Sequence, residues 1–286
     1  MLKILDSLRR RWRLSRQCDA ARGTAAAREE IRRVMPDNVA ASGWNSYSQC
    51  DEDGIIRECL RRIASTTLLS KTFIEVGCGN GLENNTHQLV LDGFRGCWID
   101  GSKEDIARLH REVASDGSKR LLIQHRFLTK DNIIEVMGAC VKHLATEDVD
   151  LFSLDIDGND IHMVRASLGV LKPKVLCVEY NGKFPPPTRL EMDYVASHHW
   201  DLSDYFGASL QSWVDALSDY TLVSCNVSGV NAFFIRNDLK SPFTIYPPMA
   251  LYQPPRYWLV SQSGHPSSLR WLQASLDKSG LASPQR

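Results

Sequence analysis

A chain of 286 residues, 43% apolar and 24% charged, has the make-up of an ordinary globular protein and can bury a full core, most simply as one large domain. Its formal net charge of zero argues against a general nucleic-acid binder, which usually carries a basic excess. Eight scattered cysteines with no C-x-x-C pair form neither a zinc framework nor a secreted disulfide scaffold. No apolar run approaches the roughly 18 residues of a membrane span, and the N-terminus lacks a signal-peptide stretch. A reducing cytoplasm fits best.

Residues 1–34 read as a basic helical arm. Leu2, Ile4, Leu5, Leu8, Trp12 and Leu14 recur at roughly helical spacing, and residues 1–33 hold ten Lys or Arg against four acids. Two readings stand side by side: a solvated helical arm, or a basic amphipathic helix lying on a partner or an anionic membrane. The second would place the protein peripherally at the inner face of the membrane. Oligomeric state is left open, with a homodimer one option.

The globular part, residues 35–245, opens with a polar turn at Asp51 to Gly54. Ile55, Ile56, Cys59, Leu60 and Ile63 then mark an amphipathic helix. Strands are predicted at 73–77, 96–100, 121–124, 149–156 and 175–180. Helices are predicted near 84–93, 103–115, 131–144 and 159–169. Such alternation means right-handed crossovers and a mostly parallel sheet covered on both faces. Past a Pro-rich loop at Phe184 to Pro187, the spacing predicts a helix near 207–218 and strands at 220–225 and 230–236. The turn around Ser228-Gly229 is too short for a crossover helix, so these last strands should be antiparallel neighbours. Residues 246–286 are set off as a Pro- and aromatic-rich extension that wraps the surface, with the chain beyond about 278 read as disordered.

The stretch Thr72-Phe-Ile-Glu-Val-Gly-Cys-Gly-Asn-Gly81 carries the most chemistry. A short apolar strand containing Glu75 runs into glycines at 77, 79 and 81, which let the chain turn and bring backbone against a ligand. A nicotinamide-type G-x-G-x-x-G would need glycine at position 82, which is Leu82. Asp100 closes the next strand 23 residues after Gly77, near the spacing of roughly 20 at which nucleotide-binding α/β folds place a ribose-binding acid.

A second group lies at the ends of the fourth and fifth strands. Asp155, Asp157 and Asp160 follow one, and Glu179 and Asn181 follow the other. Open α/β sheets bind ligands outside these carboxyl ends. By strand alternation Asp155 and Asp157 share one face. Asp157, Glu179 and Asn181 form an oxygen set that would suit Mg²⁺. A metal-free alternative uses Asp155, Asp157 or His199 as general base. A third reading has the carboxylates capping the following helix. His198 and His199 fall in the loop after the fifth strand, where Tyr180, Trp200, Tyr205 and Trp213 either stack on a ligand or fill core. His162 reads as structural.

These passages resemble class I S-adenosylmethionine-dependent methyltransferases, and in particular the FkbM-like group. The resemblance rests on Ser48-Gln49 with Glu52-Asp53-Gly54, on Glu75 through Thr86, and on Asp150 through Asp160 with Val178-Glu-Tyr-Asn181. It covers roughly residues 47–236. One departure is Asp155-Ile-Asp157-Gly158, where many such proteins have Asp-Val-Glu-Gly. The resemblance implies a Rossmann-like, seven-stranded, mostly parallel sheet with one antiparallel strand and helices on both faces. It implies S-adenosylmethionine as cofactor, bound by Glu75, Gly77, Gly79, Gly81, Asn85, Asp100, Gly101 and Asp155. Asn84, Asn85 and Thr86 either line the methionine pocket or cap the next helix. The adenine contact should fall near His125 to Leu128, where the usual acid is missing. The implied reaction is O-methylation of a saccharide, glycolipid or secondary metabolite. An NAD-linked oxidoreductase or epimerase and a non-catalytic binding module on the same fold are the rival readings.

Overall fold

The computed structural model describes residues 2–113, 119–260 and 266–278. The tail beyond 278 lies outside these, as do the side chains of residues 2–14 on which the arm's amphipathic pattern rests.

The chain begins with the long helix α1 (Leu2–Val34), which packs on the turn Val39–Ser42 and on Tyr257–Leu259. Ala20 and Ile31 are its buried anchors, and Gly23 lets Leu259 approach closely. Helix α2 (Glu52–Ile63) follows, with Ile55, Ile56, Cys59, Leu60 and Ile63 all buried at helical spacing.

The alternating part is β1 (Thr72–Val76), α3 (His87–Leu91), β2 (Arg95–Asp100), α4 (Lys103–Glu112), β3 (Leu121–His125), α5 (Ile133–Leu144), β4 (Leu151–Leu154), α6 (Asp160–Ser167) and β5 (Val175–Glu179). Then come α7 (Leu210–Ala216), β6 (Tyr220–Cys225), β7 (Asn231–Arg236), α8 (Pro248–Leu251) and α9 (Pro266–Lys278). One seven-stranded sheet results, in the order β3-β2-β1-β4-β5-β7-β6. Strands β1 to β5 pair in parallel, and β7 runs antiparallel to both β5 and β6. This is the Rossmann-like sheet with a single reversed strand that the sequence predicts. Every residue of β1 and β4 is buried, as strands covered on both faces require. The reversal at β7 is fixed locally: Asn226 accepts from the N–H groups of Val230 and Asn231 at 2.9 and 3.0 Å.

The helices predicted after the first strand all come out shorter, and two of them contract by about half. The span 84–93 contracts to α3 because Asn85 and Thr86 bond Glu75 rather than continuing a helix. The span 207–218 begins only at Leu210, where the Ser209 hydroxyl caps the Ser212 N–H. Among the described residues, no helix is long and apolar enough to cross a membrane. Cys18 is exposed, the other seven cysteines are buried, and all eight are free thiols.

At the amino-terminal edge of the sheet, Lys174 is almost fully buried with its Nζ 3.0 Å from Asp150 Oδ1 and 2.8 Å from Asp148 Oδ2. Asp150, itself without exposure, also accepts from the N–H groups of Ser70 and Thr72. Removing one member of a buried pair strands the other charge. Lys174→Met should therefore lower unfolding free energy by about 3–5 kcal/mol in urea denaturation. A loss below about 1 kcal/mol, the level of an exposed pair, would contradict that reading.

Candidate active site

A cavity of about 480 Å³ opens at the carboxyl ends of β1, β2 and β4, within the size range of ligand pockets. One wall is the glycine turn after β1. Gly77 has φ +86°, and a Cβ there would lie 1.7 Å from the carbonyl oxygen of Asp155. Only glycine permits both the conformation and the approach. The N–H groups of Gly77 and Cys78 both donate to Ile99 O, which folds the turn over β2. Gly79 N–H then donates to Asp100 Oδ2 at 2.7 Å, while Asp100 Oδ1 accepts from Ser102 N–H at 2.7 Å. Each carboxylate oxygen keeps acceptor capacity toward the cavity. Gly101 lines it beside Asp100, and Arg126, Phe127 and Leu128 form the opposite side.

Gly81 takes a different place from the one the resemblance implies. A Cβ there would meet Leu109, Trp98 and Leu269, so this glycine serves packing against α4 and α9 and does not line the cavity.

Beneath the turn, Glu75 accepts from Asn85 N–H at 2.7 Å and from the Thr86 hydroxyl, which in turn accepts from Trp98 Nε1. Burial pushes the Glu75 carboxyl up to about 7. Thr86 occupies the position preceding α3 but makes no side-chain cap. Asn85 Nδ2 donates to Ser153 Oγ at 3.0 Å. Glu75, Glu83, Asn85, Asp155 and Asn231 border a second, small cavity of about 30 Å³ that adjoins the large one at Val76 and Gly77.

Past β4 and β5, carboxylate oxygens of Asp155, Asp157 and Glu179 all lie within 4.8 Å of one another. Burial, then the charges of Asp157 and Asp160, raise the Asp155 carboxyl well above its ordinary range. Glu179 is raised in the same way by burial and then by Asp155. Asp157, the most exposed of the three, is raised by burial against the opposing pull of His198. It also holds φ +57°, a left-handed conformation that non-glycine residues adopt at a cost. Glu179 Oε2 is buried with no hydrogen-bond partner. Asp160 stands apart from the three: its oxygens accept from Ile156 and Gly158 N–H at 2.8 and 2.7 Å, so it holds the loop together.

Asn181 also stays out of the cluster. Its Nδ2 donates to Asp204 O and Phe206 O, and its Oδ1 accepts from Lys183 N–H, which ties down the following loop. That loop returns His198 and His199 to the large cavity. His198 Nε2 lies 3.1 Å from Asp157 O. A carbonyl only accepts, so Nε2 carries the proton and Nδ1 is the basic nitrogen of the neutral ring. His199 packs on Phe127 with ring centroids 5.2 Å apart. The four aromatics divide. Tyr180 and Trp213 are buried and bonded to Gln253 O and Glu179 O, whereas Trp200 and Tyr205 are exposed. His162 is bonded to Met192 O at 2.8 Å and packs edge-on to Tyr194.

Gln49, Ser102, Arg126 and Phe127 also border the large cavity and were not singled out as site residues from sequence. Gln49 carried a signal through the Ser48-Gln49 pair of the family resemblance, and Arg126 and Phe127 through the expected adenine contact at His125 to Leu128; Ser102 carried none.

No protein-family profile matches this chain, and no curated protein is similar to it. Solved structures with a similar fold include an O-methyltransferase from Bacillus cereus in complex with S-adenosylhomocysteine, at 12% identity and TM-score 0.39 over 76% of this chain and 98% of that one. A magnesium protoporphyrin IX methyltransferase from Synechocystis with bound S-adenosylmethionine has 12% identity and TM-score 0.36, covering 65% and 79%. A TehB-like methyltransferase from Corynebacterium glutamicum has 14% identity and TM-score 0.34, covering 74% and 99%. Likeness at this level assigns no activity, and the functional reading rests on the site.

Carboxyls raised in the folded chain bind protons that the unfolded chain has already released. Their contribution to stability is therefore full below about pH 4 and is lost as pH rises through the folded values. Asp155→Asn removes one member of the repelling set. With a chelator present, it should stabilise the protein at pH 8 by on the order of 1 kcal/mol and have little effect at pH 4.5. A variant less stable than the parent at pH 8 in urea denaturation would contradict the electrostatic account.

Proposed function

We propose that the chain is an S-adenosylmethionine-dependent methyltransferase of the FkbM-like kind, acting on a hydroxyl of a saccharide, glycolipid or secondary metabolite. The observation that carries this reading is that the glycine turn, Asp100 with acceptor capacity left on both oxygens, and Asp155 and Asp157 border one cavity of about 480 Å³. Asp100 would take the ribose hydroxyls through charge-assisted hydrogen bonds. Phe127 offers a stacking face for adenine. Gly77 and Gly79 let the sulfonium lie against backbone, and the acids of the small cavity suit the methionyl ammonium.

Transfer forms a carbon–oxygen bond as the carbon–sulfur bond breaks, releasing S-adenosylhomocysteine, and the hydroxyl proton passes to a base. Asp157, His199 and the free Nδ1 of His198 border the same cavity and are able to accept it. Asp155 sits between turn and cluster, at the cofactor's reactive end. Exposed Trp200 and Tyr205, next in the loop to His199, give a sugar acceptor an aromatic rim.

Three converging carboxylates with an unpartnered buried oxygen at Glu179 fit a hard divalent cation. Asp155, Asp157 and Glu179 would hold it, while Asn181 would not. When bound, Mg²⁺ would supply Lewis acidity that lowers the acceptor hydroxyl's pKa.

Calorimetry should show S-adenosylhomocysteine binding to the wild type, weakened at least about tenfold by Asp100→Ala. No binding to the wild type would sink the proposal. For the metal, Mn²⁺ titration followed by electron paramagnetic resonance should reveal a site that Asp157→Ala weakens while cofactor affinity persists. Unchanged Mn²⁺ binding in the variant would remove these carboxylates as ligands.

A further inference from the structure

The segment from Trp44 to Asp51 crosses from the start of α2 to the glycine turn and is held far more firmly than a connecting loop requires. Asp53 Oδ2 accepts from the N–H groups of Ser46, Tyr47 and Ser48 at 2.7, 2.9 and 3.1 Å, and from the Ser48 hydroxyl at 3.0 Å. Glu52 Oε2 takes Cys50 N–H at 2.8 Å. Gly54 N–H donates to Trp44 O, and a Cβ on Gly54 would meet Trp44 N at 2.3 Å. At the other end, the Tyr47 ring stacks on His87 at 4.0 Å, and His87 Nδ1 lies 3.0 Å from Gly81 O. Both anchors fix one residue between them. Gln49 is half-buried and borders both the large and the small cavity, and its side-chain amide makes no hydrogen bond to any described residue.

The turn's N–H groups and the other side-chain amides that border the small cavity are engaged. The N–H groups of Gly77, Cys78, Gly79, Gly81 and Leu82 all donate within the protein. The amide of Asn85 is given to Ser153, and that of Asn231 to Glu52. The remaining wall is acidic, with Glu75, Glu83 and Asp155. That wall attracts an ammonium group and repels a carboxylate. An α-amino acid end placed at this junction must turn its ammonium to the acids and its carboxylate to an uncharged N–H donor, and among the described residues Gln49 is the side-chain amide bordering the small cavity with no partner.

We infer that the 44–51 segment is a preformed strap whose Gln49 amide binds the α-carboxylate at the methionyl end of the cofactor, with Asp53 as its positioning residue. The inference rests on the cofactor reading above, and it assigns recognition of the amino-acid end to chain lying before the first strand. An amide donating to a charged acceptor, rather than a backbone nest, would then set discrimination between intact cofactor and its adenosyl fragment.

The test compares two ligands by calorimetry: S-adenosylhomocysteine, which has the amino-acid end, and 5′-methylthioadenosine, which lacks it. Wild type should bind both, the former more tightly. Gln49→Ala should weaken S-adenosylhomocysteine about tenfold and leave 5′-methylthioadenosine within about twofold. Gln49→Glu, which sets one carboxylate against another, should weaken S-adenosylhomocysteine further. If the wild type binds S-adenosylhomocysteine and Gln49→Ala weakens both ligands equally, or neither, the strap assignment falls while the cofactor reading stands. A wild type that binds neither ligand overturns both.

Discussion

The carbonyl oxygen of Asp155 occupies the place where a side chain on residue 77 would begin. That contact joins the end of β4 to the turn leaving β1, and the Asp155 N–H to Val76 O bond at 3.1 Å continues the pairing of the two strands up to it. A glycine at 77 is therefore a condition for the sheet to close at the carboxyl ends of β1 and β4. The same contact sets the carboxylate group against the glycine turn, so turn and acid cluster are parts of one construction. Any residue with a Cβ at 77 would separate them before it touched a ligand.

Electrostatics run against stability at this edge. Asp155, Asp157 and Glu179 are held close, Asp157 raises the proton affinity of Asp155 and both aspartates raise that of Glu179, and Asp157 also carries a left-handed backbone. Folding for stability alone would favour amides or apolar groups there, and the lower edge of the sheet illustrates the contrast. Asp150, fully buried, faces Lys174 and two backbone donors. A sheet that neutralises its acids at one edge and concentrates them at the other has the polarity expected of a ligand-binding α/β fold.

Much of this architecture was legible in the residues. Strand periodicity located all seven strands, and the short link around Ser228-Gly229 disclosed the reversed one, because no crossover helix fits there. The spacing from Gly77 to Asp100 brought together two groups that the fold places on one cavity. What escaped detection depends on contacts between distant positions. Gly81 looks like its two neighbours in sequence, yet its space is taken by Leu109 and Leu269, the second nearly 190 residues away in the chain. Asn181 follows Glu179 closely but is drawn off by backbone carbonyls of the loop it anchors. Burial of Leu269, Leu272 and Leu276 against the sheet's helices was hidden in a segment whose composition suggested a surface wrap. The strap carrying Gln49 has no periodicity, since its shape comes from Asp53 gathering backbone N–H groups.

The central claim is that the space between the glycine turn and Phe127 receives an adenosyl group. A crystal structure of the protein soaked with S-adenosylhomocysteine tests this most directly. The account predicts ribose hydroxyls within hydrogen-bond distance of Asp100, adenine against Phe127 and the sulfur beside Gly77. Ligand bound elsewhere on the chain, or a cavity that stays closed to it at saturating concentration, would contradict it.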